Sequence, residues 1–374
     1  MVANKYMPLI KRELAKLPDF VQQYYIGTNH AVTTIYQYLT EIRRFFTWLR
    51  QEGVVAAKSN QEITPDDLAK LRRNDIMLYI DYLRHSTNQQ HHFNSPTTVN
   101  RSLNALRSLF KFLTVTADNN NGRPYFERNV MEKIGTLNDT QTLNYRAHVL
   151  ESHMYTGQRK YDFINFLQGQ YEKQCDPRAR PAFKHNKERD IAIVALILGT
   201  GVRVSEAANI DMRDLRLKDQ SLDVTRKGGW RDTVPIAPWT IPLIKDYTDI
   251  RQKRYAPDKR EQALFLTNYH GRTKRMTTNA IEKMVNKYSR AFGHPLTPHK
   301  LRHTLATELY SVTKDQVLVA QQLGQKGTSA TDLYTHVDQG KQRHALKAIS
   351  HDDPLSDKAN GQDGAKQDSA NQNA

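Results

Sequence analysis

The sequence predicts a mainly α-helical protein with a small β-sheet, built as a helical N-terminal domain followed by a mixed α/β domain. Three observations predict this. The first third repeats apolar residues at helical spacing, with arginines and lysines off the apolar stripe. One hairpin pattern, "SLDVTRKGGWRDTVPIAP", stands in the second half among further helical stretches. Between the two lies a polar region, 118–185, broken by Pro177 and Pro181. A chain of 374 residues is long enough to bury at least one good core in each part.

The elements follow in order. "TTIYQYLTEIRRFFTWLRQEG" puts Ile35, Leu39, Ile42, Phe46 and Leu49 on one helical face. Thr33 or Thr34 can cap its start, and Gly53 can end it. "TPDDLAKLRRNDIMLYIDYLRH" contains two helical stretches, with Thr64 as N-cap and Pro65 at the first helical position. "SPTTVNRSLNALRSLFKFLT" turns Val99, Leu103, Leu106, Phe110 and Leu113 inward. Arg43, Arg44, Arg101 and Arg107 come off these stripes and are candidate phosphate contacts, against the reading that they are solvated surface charge. The first domain is expected over 13–117, with a linker or irregular region, some of it helical, over 118–164. The second domain is expected over 165–350. It opens with a buried helix from Asp190, breaks at "GTGVR" and resumes as "SEAANIDM". In the hairpin, Leu222 and Val224 alternate, Gly228 and Gly229 form the turn, and Val234 and Ile236 return. "ALFLT", a helix from Thr277 and the helix opened by Thr297 and Pro298 complete it. Residues 352–374 have few large apolar side chains and read as a disordered tail.

Charge narrows the partner. Lys and Arg number 55 against 39 Asp and Glu, a formal charge of +16. Five Asp against two Lys put −3 on the tail, so the remaining chain carries +19. This excess points to a polyanion, with nucleic acid ahead of an anionic membrane surface. The start, "MVANKYMPLIKRELAKLPDF", has no long apolar run, and "IAIVALILGTGV" is too short to span a bilayer. No membrane partner and a cytoplasmic location are expected. The single cysteine, Cys175, fits a reducing compartment and has no His beside it that would make it a catalytic thiol.

Four pieces can carry chemistry, and each has an ordinary reading when taken singly. His299 and Arg302 share a face at a helix start, which favours an anion. His299 and His303 stand four apart as in a zinc helix, but Lys300 occupies the place of the general-base Glu. Arg203 follows a glycine break, so it is either a core-edge ion pair with Glu206 or a group aimed into a cleft. Lys227 sits at the hairpin turn, where a lysine is usually plain surface. Tyr334 in "LGQKGTSATDLYTH" reads alone as a packed ring.

Together, Arg203 in "TGVRVSE", Lys227 before "VPI", His299 and Arg302 in "HKLRHTLAT", and Tyr334 in "ATDLYTH" resemble the catalytic signature of the tyrosine recombinase/integrase family. The resemblance covers about 184–350, and the helical N-terminal part is similar to that family's core-binding domain. It implies two domains forming a clamp around DNA. It further implies that Tyr334 attacks a phosphodiester to form a 3′-phosphotyrosyl bond, with the arginines on the phosphate oxygens and Lys227 as general acid. His299 would bond the same phosphate or take the tyrosine proton. Neither metal nor cofactor is implied. The partners implied are a double-stranded DNA recombination site and three further copies in a synaptic homotetramer. Gln325 departs from the His or Trp usual at its position; its amide can still donate to a phosphate but cannot titrate. The run "LPDFVQQYY…TTIYQYLTEIRRFFTWL" resembles the Xer subgroup. That implies resolution of chromosome dimers at a dif-type site, with the septal DNA translocase FtsK as a regulator. A mobile-element integrase would share the chemistry, and an inactive DNA-binding protein on the same fold would keep only the binding.

Overall fold

The computed structural model describes residues 2–337, apart from 88–90, 120, 139–141, 153, 326 and 329–330, together with residue 346. The tail expected over 352–374 lies outside the described residues. The chain divides into two compact units, Met1–Thr140 and Gln141–Ala374.

The first unit is helical: α1 (Val2–Leu14), α2 (Asp19–Gly27), α3 (Val32–Gln51), α4 (Pro65–Ala69), α5 (Arg73–His85) and α6 (Pro96–Lys111). The stripe on α3 is buried as its spacing requires, with Ile35, Leu39, Ile42, Phe46 and Leu49 all inside. An aromatic cluster centres the core, with Phe45 and Trp48 at 4.8 and 5.1 Å from the Tyr79 ring. Thr64 caps α4 through a reciprocal box with Asp67. The cap expected of Thr33 or Thr34 does not form. α3 begins two or three residues earlier than they require, with Ala31 at the N-cap and no side-chain bond.

The second unit is mixed. Its helices are α7 (Leu143–Ser152), α8 (Arg159–Asn165), α9 (Tyr171–Gln174), α10 (Arg180–Thr200), α11 (Val204–Asn209), α12 (Ile241–Tyr255), α13 (Thr278–Ala291), α14 (Pro298–Thr313), α15 (Gln316–Leu323) and α16 (Asp332–Val337). Strands β1 (Leu215–Arg216), β2 (Ser221–Thr225) and β3 (Arg231–Pro235) form an antiparallel sheet in that order. β4 (Leu266–Tyr269) and β5 (Arg272–Arg275) form a separate hairpin. In the first sheet Leu222 faces Val234, so the alternating apolar residues of the two strands share one buried face.

α10 is the axis of this unit. Every residue from Arg189 to Thr200 is buried, and α12 and α14 pack against it. The helix starts at Arg180, ten residues before the expected Asp190. Pro181 does not interrupt it, because proline at the first helical turn costs no intrahelical bond. Near its middle, Arg189 donates to Asp190 and to the Leu266 carbonyl, and Tyr288 donates to the other Asp190 oxygen. This buried cluster ties α10 to β4 and α13. The segment 141–164 packs on the helices that follow it in the chain. α7 lies along α16, the Tyr155 amide donates to Thr304 at 3.2 Å, and the Gly157 amide donates to Glu308 at 2.8 Å. Among the described residues, no helix is long and apolar enough to cross a membrane.

Asp190→Ala leaves a buried guanidinium without its anion and is expected to lower the unfolding free energy by about 3–5 kcal/mol. Tyr288→Phe removes one bond to a carboxylate and should cost roughly 1.5–3 kcal/mol. Urea unfolding followed by circular dichroism measures both; an unchanged midpoint in Asp190→Ala would show that the pair is not held in the interior.

Candidate active site

The site is assembled where three helix ends meet. α10 stops at Gly201, which takes the left-handed conformation (φ +68°) that lets the chain turn sharply into Val202 and Arg203. α15 stops at Gly324, also left-handed. α14 starts at Pro298, with Thr297 at the N-cap position; its hydroxyl, expected as a cap, makes no such bond.

Arg302 sits among these ends and is 3% exposed. It donates to the Gly201 carbonyl at 2.6 Å and to the Leu323 carbonyl at 2.8 Å. Helix C-terminal carbonyls carry partial negative charge and attract a cation. Two of the five guanidinium N–H groups are thereby used, and three remain for another acceptor. Burial, followed by the neighbouring Arg203, pushes the Arg302 pKa down to about 10. Two guanidinium groups that repel each other in a partly desolvated setting favour an anion beside them.

Arg203 occupies the N-cap position of α11. Its backbone amide and its guanidinium both bond Glu206, each at 2.8 Å. The ion pair with Glu206 forms, and the Arg203 side chain remains one-third exposed beyond it. Glu206 is itself buried and also accepts from Arg226 at 3.0 Å. Arg226 pairs with Asp232 at 2.9 Å and donates to the Gln322 carbonyl at 3.2 Å. One side chain so joins α11, the β2–β3 hairpin and the end of α15. A Cβ at Gly324 would come within 2.2 Å of that guanidinium, so only glycine fits in "LGQ". Lys227, the next residue along the hairpin, is exposed and forms no ion pair among the described residues.

Three sequence-expected residues, His299, Arg302 and Tyr334, converge with one that had been left aside. The Tyr334 ring is 1% exposed, and its hydroxyl lies 2.7 Å from Nδ1 of His303. Nε2 of His303 lies 2.9 Å from Nε2 of His299. The spacing of four puts the imidazoles on one face of α14, and α16 packs on that helix. Burial pushes the Tyr334 phenol up to about 12, partly offset by Arg302. Burial lowers His303 to about 4, with His299, Arg302 and Lys300 adding to the effect. His299 is lowered too, by burial and then by Arg302 and Arg203. Both rings are therefore neutral near pH 7. Among the described residues, no group of three His, Cys, Asp or Glu is placed to share a metal ion. Gln325 follows the end of α15, and its side-chain oxygen is buried with no hydrogen-bond partner.

The four arginines proposed for DNA in the first unit differ in how free they are. Arg107 donates to the carbonyls of Ile134 and Gly135, both at 3.1 Å, and Arg43 pairs with Glu13. Arg44 lies 3.9 Å from Glu41, while Arg101 is exposed on α6.

Known proteins resemble both units. The model described as the phage integrase family matches residues 172–341, and that of the phage integrase N-terminal SAM-like domain matches 19–116. A tyrosine recombinase called XerS from Streptococcus uberis is 45% identical over 347 residues, covering 91% of this chain and 98% of that protein. The XerS of Streptococcus pneumoniae is 44% identical, covering 89% and 96%. Among solved structures, the XerH site-specific recombinase bound to a palindromic difH substrate shares the fold. Its TM-score is 0.58 at 20% identity, with 84% of this chain and 78% of that one covered. Lambda integrase on a COC′ core site superposes with a TM-score of 0.54 at 14% identity, covering 86% and 93%. Two matched domains and an end-to-end likeness to XerS place the chain: it belongs to the phage integrase family and is a tyrosine recombinase.

Proposed function

We propose that the chain cuts and rejoins duplex DNA at a specific site through a 3′-phosphotyrosyl bond on Tyr334, and that it resolves chromosome dimers at a dif-type site in the cytoplasm of a dividing cell. The observation that carries the chemistry is the Tyr334 hydroxyl held against the α14 histidines beside the buried Arg302. The likeness to XerS over nearly the full length of both proteins favours the chromosomal role over a mobile-element integrase.

In this reading a DNA phosphate sits between Arg203 and Arg302, which offer planar paired donors to its non-bridging oxygens. His299, at the exposed start of α14, bonds the same phosphate. The tyrosine oxygen attacks phosphorus, and the bond to the 5′-oxygen breaks. Lys227 swings in from the hairpin turn to protonate that leaving oxygen. The phosphodiester's energy is kept in the protein–DNA bond, so the reverse reaction with another strand's 5′-hydroxyl rejoins the DNA. Gln325 supplies an amide at the phosphate. Strand exchange needs four copies on two duplexes. FtsK is the expected regulator of such a step. The exposed Arg101 and, less freely, Arg44 are the residues of the first unit best placed to meet the DNA backbone.

A nicked suicide substrate that loses its 5′ fragment traps the covalent state. Wild-type chain is expected to give a denaturation-resistant adduct that Tyr334→Phe abolishes; tight DNA binding with no adduct from the wild type would turn the reading toward an inactive binding protein. Arg302→Lys keeps the charge but loses the planar donors and is expected to slow adduct formation by roughly 10²–10³-fold. A rate within threefold of the parent would remove Arg302 from the phosphate. Gln325→His introduces a group that titrates near pH 6.5. It should bend the cleavage–pH profile in that region where the parent is flat, and superimposable profiles would exclude a proton-transfer role for position 325.

A further inference from the structure

The Tyr334 phenol is buried and pushed up to about 12, so attack at neutral pH requires that something take its proton. Among the described residues, the titratable nitrogen in hydrogen-bond contact with its oxygen is Nδ1 of His303, at 2.7 Å. His299, the histidine of the family signature, does not touch the phenol. It touches His303, Nε2 to Nε2, at 2.9 Å.

The two contacts couple the protonation states, so that the tautomer of one ring sets that of the other. A neutral imidazole carries one proton. If Tyr334 donates to Nδ1 of His303, the His303 proton must sit on Nε2 and point at His299. Nε2 of His299 must then be bare, with its proton on Nδ1. In that tautomer state the contacts form a directed chain from phenol to His303 to His299, and it is the state in which the phenol proton can leave. The chain also runs outward: Tyr334 is buried, His303 is half-buried and His299 is exposed. The depth of His303 keeps it neutral and therefore able to accept.

We propose that His303 is the catalytic base that takes the Tyr334 proton, and that His299 carries charge from it toward the open face of the site. The inference rests on Tyr334 being the nucleophile. As the tyrosine oxygen bonds to phosphorus, its proton passes to Nδ1 of His303. The Nε2 proton of His303 passes to Nε2 of His299, so the pair gains one proton in total. The 5′-oxygen leaves with a separate proton from Lys227. Rejoining runs each transfer backward. Negative charge from the arriving phosphodiester offsets Arg302 and Arg203, the two cations that add to burial in lowering His299. The base strength of the pair thus rises when substrate is in place.

The test separates a base from a residue that only holds the ring. His303→Gln is expected to slow adduct formation on the nicked substrate by on the order of 10²-fold or more. Placing 3,5-difluorotyrosine at position 334, whose two fluorines flank the hydroxyl and let the phenol ionise near neutral pH, should restore most of that loss. In His299→Gln the same analogue should restore at least tenfold less. An undiminished rate in His303→Gln, no rescue, or an equal or larger rescue in His299→Gln overturns the assignment. Should His303→Gln fail to fold, nitrogen-15 NMR of histidine-labelled wild type reads the tautomer directly. A proton on Nε2 of His303 with Nδ1 bare is expected, and a proton on Nδ1 overturns the proposal. If instead an adduct persisted in Tyr334→Phe, the nucleophile reading would fail, which is a different result.

Discussion

Arg302 donating to the carbonyls that end two helices is the constraint on which the site depends. A buried guanidinium is costly, and among the described residues no carboxylate bonds it directly. The helix ends supply partial negative charge in its place, because the last carbonyls of a helix have no intrahelical partners. Arg302 thus fastens α14 to the ends of α10 and α15. Every other group in the site is positioned from one of those three elements or from what packs on them.

Arg226 repeats the arrangement one layer out, at the Gln322 carbonyl, and shares Glu206 with Arg203. Two arginines bond Glu206, with Asp232 on the outer side of Arg226. Burial lowers both Arg302 and the nearby His299, and the positive charge of Arg203 adds to the effect on each. A site arranged in this way is destabilised until an anion enters it, which suits a phosphodiester. In the proposed reaction the charge that binds the phosphate also adds to burial in keeping the histidines neutral, so binding and proton acceptance would be coupled.

Much of this was legible in residue order. The α3 and α6 stripes, the β2–β3 hairpin, Thr64 as a cap and Gly201 as a stop follow from local rules and were visible. The start of α10 was not, because Pro181 reads as a breaker unless it is known to lie in the first turn. Arg226 was passed over for its neighbour Lys227. Sequence places the two side by side in a turn, and only the folded hairpin shows that one side chain goes inward and the other out. His303 was weighed as half of a metal pair. Its spacing from His299 was evident, but its contact with Tyr334 spans 31 positions and depends on how α16 packs on α14.

The sequence by itself carried the family resemblance and, through it, Arg203, Lys227, His299, Arg302 and Tyr334 as the candidate residues for the proposed chemistry. It could do so because phosphoryl transfer to a tyrosine needs specific functional groups, and those groups are written as letters in a recognisable order. The tertiary structure decided what each group touches: that Arg302 is held by helix ends, that Glu206 unites two arginines, and that His303 rather than His299 meets the phenol. Those relations are distances between side chains from separate elements. Local propensity and spacing do not encode them, and burial and packing set them only when the helices come together.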